Sequence, residues 1–331
     1  MTEPDPFAAR SMLVTGASGI VGSWLVRSLL GQGASVVALI RDADPRSELF
    51  RSGDDRRVVR VQGDLEDLNL LERIIVKYEI EVIFHLGAQT QVRHAEIHPF
   101  ATLEANVRGT YNLLEAARRC PASVVGFVVA SSDKAYGRVA RLPYREEDPL
   151  AGASIYDASK SSADLLTAAY ARTFGLPIGI ARCGNIYGGG DLNWDRIVPG
   201  TIRSLLQGQR PIIRSDGTLR RDYLYVDDAV GGYLALARAL VGGRERGEAF
   251  NFGHGVGLSV VDLVKEIGLA VDRSDLSPDI RSDVTNEIQD QWLDSTKART
   301  RLEWEPSIGL PEGLALSVDW YRRMLGSAHA G

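Results

Sequence analysis

Several residue types and patterns are scarce in this chain, and each absence excludes a class of protein. The 331 residues include only two cysteines, Cys120 and Cys183, which lie far apart and lack the spacing of a metal site or a disulfide framework. No apolar run reaches the length of about 18 residues that a membrane-spanning helix needs. Residues 1–10 carry acids and prolines instead of an apolar stretch. We therefore expect no signal peptide and a cytoplasmic protein.

Positive charge and histidine are also limited. The formal net charge is -5, which argues against a nucleic acid or an anionic membrane as the partner. The sequence contains no internal repeat and no low-complexity segment. The histidines show no spacing typical of metal ligands, so no metal site is expected; they are His85, His94, His98, His254 and His329.

Lysine is the scarcest of the basic residues. Only five of the 38 lysines and arginines are lysine. Arginine stays protonated near neutral pH, whereas a lysine removed from water can lose its proton. Two of the five, Lys134 and Lys160, fall among the candidate site residues below. Chemistry offers a reason for their presence there, with chance placement as the alternative.

Strand-like and helix-like segments alternate through the first half of the chain. Continuous apolar runs predict strands at 11–15, 35–40, 58–62, 82–86, 124–130 and 178–182. Helical periodicity predicts helices at 20–32, 69–78, 100–119 and 154–174. Strands that are apolar on both faces are typical of a parallel sheet covered by helices on each side. The sequence therefore predicts an α/β protein with a doubly wound parallel sheet, the Rossmann fold.

The second half is less regular. A glycine-rich loop at 188–196 is followed by shorter predicted elements: a helix near 197–206, strands near 221–225 and 249–252, and helices near 259–267 and 309–324. Residues 272–283 are rich in charge and predict a surface loop. Because the chain exceeds the usual length of one domain, we expect a smaller C-terminal lobe at 183–331. We expect the first domain to span 1–182 and the chain to return to it around 221–252.

A glycine-rich turn joins the first predicted strand to the first predicted helix. It reads Gly16-Ala-Ser-Gly-Ile-Val-Gly22. Such a turn lets a pyrophosphate approach the backbone, and the free N–H groups and positive dipole end of the helix then face the phosphates. The first domain is therefore predicted to bind a dinucleotide. The alternative is that these glycines serve only a tight turn.

Two residues after the second predicted strand bear on the identity of the nucleotide. Asp42 stands twenty residues beyond Gly22, the distance expected for an acid that holds the ribose hydroxyls of NAD. Arg41 beside it offers a cation for the 2'-phosphate of NADP. This pair of residues leaves both cofactors open.

Tyr156 and Lys160 are spaced four apart within the predicted helix 154–174. Side chains at this spacing share one helix face, so the ammonium lies beside the phenol. A free tyrosine titrates near pH 10, and a shift to about 7 requires about 4 kcal/mol. We expect the lysine and a positively charged nicotinamide to lower the pKa of Tyr156 in a site shielded from water.

Together these motifs resemble the extended short-chain dehydrogenase/reductase family that acts on nucleotide sugars. The resemblance extends over nearly the whole chain through Gly63-Asp-Leu, His85-Leu-Gly-Ala-Gln, Asn106-Val-Arg-Gly-Thr, Ser131-Ser-Asp-Lys-Ala-Tyr-Gly and Arg221-Asp-Tyr-Leu-Tyr-Val-Asp-Asp. The Ser-Asp-Lys sequence, the loop from Gly184 and the tail Glu287–Arg299 are most similar to CDP-glucose 4,6-dehydratases. The stretch beginning at Arg221 is closer to epimerases and dTDP-glucose dehydratases.

The resemblance implies an NAD-dependent lyase of deoxysugar biosynthesis that assembles as a homodimer. For the cofactor it implies contacts with Gly16, Ser18, Gly19, Ile20, Gly22, Arg41, Asp42, Asp64, Leu65, Ala88, Asn106, Tyr156 and Lys160. For the nucleotide-sugar substrate the candidates are Gln89, Asn185, Arg196, Arg214 and Arg221, of which Arg221 matches the diphosphate clamp. Lone arginines are otherwise often solvated surface residues, and Asp64 has an alternative role as a helix cap.

The same resemblance assigns roles in catalysis. Tyr156 would remove the proton of the sugar 4-hydroxyl while Ser132 holds the same oxygen. Lys134 would then remove the C5 proton, and Asp133 would protonate the departing C6 hydroxyl. These roles require burial to move the pKa values of Asp133 and Lys134 toward neutrality. The structural alternative is an Asp-Lys pair on a surface loop.

Two other functions compete with the dehydratase. An NDP-sugar 4-epimerase of the same family needs only Ser132, Tyr156, Lys160 and the cofactor, and leaves Asp133 and Lys134 without a role. A nucleotide-sensing protein without catalysis has no use for the Tyr156 and Lys160 pair.

Overall fold

The computed structural model describes residues 6–120, 123–138, 141–283 and 287–327. Its strands are β1 (Ser11–Thr15), β2 (Ser35–Ile40), β3 (Val59–Gln62), β4 (Val82–His85), β5 (Gly126–Ser132), β6 (Ile178–Cys183), β7 (Asn185–Tyr187), β8 (Ile212–Ile213), β9 (Arg220–Arg221), β10 (Tyr223–Tyr225), β11 (Ala249–Phe252), β12 (Leu258–Ser259), β13 (Asp279–Ile280) and β14 (Asp290–Gln291).

The α-helices are α1 (Ile20–Gly31), α2 (Glu48–Arg51), α3 (Leu68–Lys77), α4 (Val92–Ile97), α5 (Pro99–Leu103), α6 (Gly109–Arg119), α7 (Ile155–Phe174), α8 (Ile197–Leu206), α9 (Val226–Val241), α10 (Val260–Val271), α11 (Thr296–Leu302) and α12 (Leu310–Ser327). No helix in the described ranges is both long and apolar enough to cross a membrane.

Seven parallel strands form the central sheet in the order β11-β6-β5-β4-β1-β2-β3. Helices cover both faces: α1 and α9 pack on one apolar cluster, and α3 and α6 on the other. The predicted doubly wound parallel sheet is confirmed. All six strands predicted in the first half are present, with shifts of one or two residues at some ends.

The strand order reverses between β1 and β4. From β1 the chain proceeds to β2 and β3 on one side, whereas β4, β5 and β6 extend the sheet on the other. The two helical layers diverge at this point, so a crevice opens beyond the carboxyl ends of β1 and β4. Thr15 and His85 are paired at these two strand ends, and their side chains are hydrogen-bonded at 2.9 Å.

Two helical segments differ from the prediction. The helix expected at 100–119 is interrupted by a π-helical turn, Glu104–Arg108, between α5 and α6. The prediction also omits α9, whose apolar face packs on the sheet. Consecutive glycines at 231 and 232 disfavour a helix locally. Tertiary packing outweighs that preference. A glycine at position 232 lets α9 pack closely on the sheet, because a Cβ there would collide with the ring of Phe252 on β11.

The C-terminal half adds a third apolar cluster, which contains residues of α8, α10 and α12. Small sheets accompany it: β10 pairs with β7, β13 with β8, and β9 lies between β12 and β14. The surface loop predicted at 272–283 is only partly correct, because β13 within it forms a parallel pair with β8. The predicted division of the chain at residue 183 stays a prediction.

A buried ion pair anchors α7 to the sheet. Arg182 of β6 makes two hydrogen bonds to Asp164 of α7, at 2.8 and 2.9 Å, and only 7% and 1% of these side chains are exposed. Ser131 donates a further hydrogen bond to Asp164. The guanidinium also donates to the Tyr136 hydroxyl. This network ties α7 to the end of β5 and to the turn that follows it.

We predict that Asp164→Ala lowers the free energy of unfolding by about 3–5 kcal/mol, because Arg182 would remain buried without a counter-charge. Urea denaturation followed by circular dichroism measures the change. Asp275→Ala is the matched control, since its ion pair with Arg273 is exposed to solvent. Equal midpoints for the two variants would contradict the prediction.

Candidate active site

A cleft of about 1250 Å³ lies beyond the carboxyl ends of the sheet strands. Residues from both halves of the chain line it, including the glycine-rich turn, the end of β5, the start of α7 and the loop before α8. Clefts at this position bind the ligand in open α/β sheets. The cleft is large enough for a nucleotide together with a second group.

The glycine-rich turn is shaped for a close backbone approach. Gly16 has a φ of 67°, a conformation that favours glycine. A Cβ at Gly22 would collide with the carbonyl oxygen of Gly16, so the helix packs directly against the turn. Gly19 caps α1 and has no side chain to satisfy the first N–H groups of the helix. These free donors at a positive helix end fit a pyrophosphate.

Most of the predicted cofactor residues line the cleft. They are Gly16, Ser18, Gly19, Ile20, Gly22, Arg41, Asp42, Asp64, Leu65, Ala88, Tyr156 and Lys160. Arg41 donates a hydrogen bond of 2.7 Å to Asp42, and both side chains are exposed at the cleft edge. The helix-cap alternative for Asp64 is wrong, because Asp67 caps α3 by accepting from the Leu70 N–H.

Asn106 and Gln89 are not among the described residues that line the cleft, and their implied contacts with the cofactor and the substrate stay predictions. Asn106 is buried in the π-helical turn and bonds both the N–H and the carbonyl of Gln89. Its amide also donates to the Ser159 hydroxyl. Asn106 therefore holds the loop after β4 against α7. The Gln89 side chain accepts from the Gln91 N–H and points along that loop.

Tyr156 and Lys160 lie side by side in the first turns of α7, as the spacing predicts. Ser154 caps the helix by accepting from the Asp157 N–H. Both side chains line the cleft and are largely buried. The Lys160 ammonium donates a hydrogen bond of 3.2 Å to the carbonyl of Ala130 on β5.

The pKa values of this pair shift in opposite directions. Burial lowers the pKa of Lys160 to about 8, and Asp164 partly opposes that shift. Burial raises the pKa of Tyr156 above its ordinary value, and the Asp133 carboxylate raises it further. Arg196 and the Ser132 hydroxyl act in the opposite sense. The expected lowering of the Tyr156 pKa is therefore not supplied by the chain alone, because loss of hydration outweighs the nearby positive charge.

Asp133 and Lys134 follow β5 in a 3-10 turn, Asp133–Tyr136. Ser132 accepts from the Lys134 N–H and donates a hydrogen bond of 3.0 Å to one Asp133 oxygen. The other Asp133 oxygen is buried without a partner. The alternative of a surface Asp-Lys pair is wrong, because only 2% of Asp133 is exposed and Lys134 is partly buried.

Burial moves the pKa values of both residues in the directions that proton transfer requires. It raises the pKa of Asp133, although Lys134 partly opposes the shift. It lowers the pKa of Lys134, with a further decrease from the Arg221 guanidinium. A neutral acid and a neutral amine therefore become accessible closer to neutral pH.

One contact of Lys134 has no signal in the sequence. Its ammonium donates a hydrogen bond of 2.7 Å to the side-chain oxygen of Gln291 on β14. The two residues are 157 positions apart, and Gln291 is fully buried. The pairing of β14 with β9 helps to bring this amide to the end of β5.

The predicted substrate residues other than Gln89 line the cleft. Arg221 is buried, and its guanidinium donates to Glu287 and to the carbonyls of Arg220 and Gln289. Arg196 bonds Asp191 and the carbonyl of Ile186. These arginines line the cleft but are held by the protein.

Two further substrate candidates differ in burial. Arg214 pairs with Asp195 at the exposed edge of the cleft. Asn185 lies deeper, and its amide nitrogen is buried without a partner. The position of Arg214 fits the outer end of a ligand, and that of Asn185 the inner part.

Several buried polar atoms on the cleft wall have no hydrogen-bond partner. They belong to Ser47, Asp133, Asn185, Tyr187 and Thr201. Buried polar atoms are normally satisfied, so the unpartnered atoms among these residues are candidate contacts for a polar ligand. No cluster of ligands suitable for a metal ion occurs in the described part of the chain; His329 lies outside it.

Comparison with known proteins finds nucleotide-sugar 4,6-dehydratases among the relatives of this chain. The family model described as GDP-mannose 4,6 dehydratase matches residues 13–316. A dTDP-glucose 4,6-dehydratase from Streptomyces antibioticus is 34% identical over 321 residues, which cover 94% of this chain and 92% of that protein. A CDP-glucose 4,6-dehydratase from Salmonella typhimurium is 31% identical over 342 residues. This alignment covers 97% of this chain and 93% of that protein.

Solved structures of similar proteins include both dehydratases and epimerases. A dTDP-glucose 4,6-dehydratase from Streptomyces venezuelae with NAD bound has a TM-score of 0.86 at 31% identity, covering 96% of this chain and 98% of that one. A UDP-glucose 4-epimerase from Thermotoga maritima with UDP-glucose has a TM-score of 0.87 at 29% identity. The match covers 95% of this chain and 99% of that one.

We predict that Gly22→Ala abolishes NAD binding, because the added Cβ displaces the turn from the position that meets the pyrophosphate. Titration calorimetry with NAD measures the effect. Gly31→Ala in the same helix is the matched control, since a Cβ there meets open space and alanine favours a helix. Retained NAD affinity in Gly22→Ala would assign the cofactor to another site.

Proposed function

Since the chain belongs to the GDP-mannose 4,6-dehydratase family, we propose that it is an NAD-dependent NDP-hexose 4,6-dehydratase. It converts an NDP-hexose into an NDP-4-keto-6-deoxyhexose with loss of water. The observation that carries this proposal is the position of the buried Asp133 and the partly buried Lys134 after β5, in the cleft that also holds Tyr156 and Lys160.

The residues present fit NAD. The free N–H groups at the start of α1 would hold the pyrophosphate, Asp42 the ribose hydroxyls, and Lys160 the second ribose. When bound, NAD would supply an acceptor for the hydride from C4 of the sugar and a donor of the hydride that C6 receives.

Tyr156 and Ser132 act on the sugar 4-hydroxyl. The ionised phenol takes the hydroxyl proton as C4 is oxidised, and the Ser132 hydroxyl holds the same oxygen. Because the protein alone raises the pKa of Tyr156, ionisation requires positive charge from a bound ligand. Catalysis is thereby confined to the loaded site.

Lys134 and Asp133 then eliminate water. A ketone at C4 makes the C5 proton acidic, and the neutral Lys134 amine removes it. Asp133 gives its proton to the C6 hydroxyl, which departs as water. Lys134 returns a proton to C5 when C6 is reduced. The proton gained by Tyr156 balances the one lost by Asp133, so each turnover releases one water. Because the hydride removed from C4 enters C6, the net oxidation state of the sugar does not change.

The diphosphate is assigned to Arg221, with Arg196 and Arg214 nearer the nucleoside and Asn185 nearer the sugar. We assign the substrate lobe to residues 183–331 and the dinucleotide domain to residues 1–182. Relatives that act on dTDP-glucose and CDP-glucose have similar identities to this chain, so the preference for CDP-glucose inferred from the sequence gains no support. A glucose nucleotide with a pyrimidine base is the proposed substrate class.

The alternative function is an NDP-sugar 4-epimerase, which the similarity to the Thermotoga maritima enzyme favours. An epimerase uses Ser132, Tyr156 and Lys160 but has no step for Asp133 or Lys134. The burial of both residues beside the site, at the expense of their hydration, favours the dehydratase.

We predict that the protein releases water from at least one of CDP-glucose, dTDP-glucose, UDP-glucose and GDP-mannose. Mass spectrometry of the product detects a mass lower by one water molecule. In heavy water the product must also carry deuterium at C5, because the C5 proton is exchanged during elimination. A product of unchanged mass without deuterium at C5 would establish the epimerase instead.

We predict that Lys134→Ala and Asp133→Asn stall after oxidation of C4. Reduced nicotinamide, which absorbs at about 340 nm, should accumulate in a single turnover and persist, with the overall rate reduced at least a hundredfold. Lys265→Ala is the control, since this lysine is exposed on α10. Full turnover by both site variants would remove Asp133 and Lys134 from the mechanism.

We further propose a homodimer formed by α5, α6 and α7. These helices expose the apolar side chains Phe100, Leu103, Tyr111 and Leu165. Light scattering at micromolar concentration should give twice the chain mass for the wild type and a smaller value for Leu165→Glu. Val256→Glu changes an equally exposed residue elsewhere and should remain dimeric. A monomeric wild type would contradict the proposal.

A further inference from the structure

We propose that Gln291 is a positioning residue that holds the Lys134 amine for removal of the C5 proton. This inference rests on the proposed dehydratase function and assigns a role to a residue of the C-terminal half. Gln291 does not line the cleft among the described residues, so it acts through Lys134.

The contact between the two side chains is short and protected from water. The Gln291 oxygen accepts from the Lys134 nitrogen at 2.7 Å, and no part of Gln291 is exposed. Within the ranges that the structure describes, Lys134 forms no ion pair. An uncharged amide is therefore the group that fixes the amine.

An amide suits a lysine that must alternate between charged and neutral forms. Its oxygen accepts a hydrogen bond from either form, and it has no net charge that would hold the proton on the amine. When neutral Lys134 donates one N–H to Gln291, the direction of its lone pair is restricted. A carboxylate at the same place would stabilise the ammonium and oppose its role as a base.

The backbone around Gln291 is firmly held. In the parallel pair of β14 and β9, Gln291 lies opposite Arg221. The following carbonyl, that of Trp292, accepts from the Tyr144 N–H at 2.9 Å. The Leu293 N–H donates to the buried Asp222. The same small sheet thus carries the proposed diphosphate clamp and the amide that holds the proposed base.

Burial, three acidic side chains and one arginine act on the charge of Lys134. Asp133 from the turn after β5, Asp157 from α7 and Glu287 from the segment before β14 favour the ammonium. Burial and Arg221 of β9 favour the neutral amine. A change of charge at Gln291, whose side chain accepts a hydrogen bond from the Lys134 nitrogen, should therefore shift the titration of Lys134 measurably.

The test measures that titration directly. Only five lysines occur in the chain, so protein labelled with carbon-13 at the lysine ε position should give five resolved signals, and loss of one signal in Lys134→Arg assigns Lys134. We expect Gln291→Glu to raise the Lys134 midpoint by at least about one pH unit and Gln291→Met to lower it. Gln289→Glu adds the same charge on an exposed side chain two residues away and should leave the midpoint unchanged.

Catalysis provides the second readout. Because the neutral amine is the active form, kcat rises with pH through the Lys134 midpoint, and a higher midpoint moves this limb to higher pH. Below the limb, Gln291→Glu should lose about tenfold in kcat for each pH unit of the shift, with a smaller change in KM. Gln291→Met should have a lower maximal kcat, and its kcat should begin to rise at a lower pH than in the wild type.

Opposite movements of the Lys134 midpoint in the two Gln291 variants would support the proposal. The proposal would be overturned by folded variants that lose activity while the Lys134 titration midpoint and the pH at which kcat rises stay unchanged. A merely structural role predicts that result. If Gln291→Glu does not fold, the direction of the shift in Gln291→Met decides. If the wild type releases no water from any NDP-hexose, the proposed function fails, whereas the NMR titration still decides whether Gln291 controls Lys134.

Discussion

Removal of titratable side chains from water at the carboxyl ends of parallel strands is the constraint on which this site depends. The strands β5 and β6 end side by side, and α7 packs across them through the buried pair of Arg182 and Asp164. That packing buries Asp133, Tyr156 and Lys160 in one wall of the cleft. Without hydration, the pKa of a carboxyl or phenol rises and that of an amine falls. The fold itself therefore prepares an acid and an amine for proton transfer.

The same burial leaves one requirement unmet by the chain. Tyr156 must ionise to act as a base, yet its pKa is raised by burial and by Asp133. Positive charge brought by a ligand is needed to reverse that shift. The loss of hydration thus favours Asp133 as an acid and Lys134 as a base, but it makes Tyr156 dependent on a loaded site. On the proposed mechanism, this dependence would confine the chemistry to the loaded site.

On the proposed mechanism, the C-terminal half contributes to the chemistry as well as to substrate binding. The small sheet of β12, β9 and β14 places Arg221 and Gln291 opposite one another. Through Gln291 it reaches Lys134 at the end of β5. A displacement of this sheet would therefore alter the proposed diphosphate clamp and the proposed base together.

The sequence by itself determined the features that depend on neighbouring residues. The glycine-rich turn, the i,i+4 placement of Tyr156 and Lys160 and the strands of the parallel sheet are local, so their residue types and spacing predict them. Tertiary structure alone decided the rest. Gln291 reaches Lys134 across 157 positions, Asn106 lies behind the cleft wall, and α9 forms despite paired glycines. These features arise from packing and desolvation between distant segments, and such contacts leave no periodicity or spacing in the sequence.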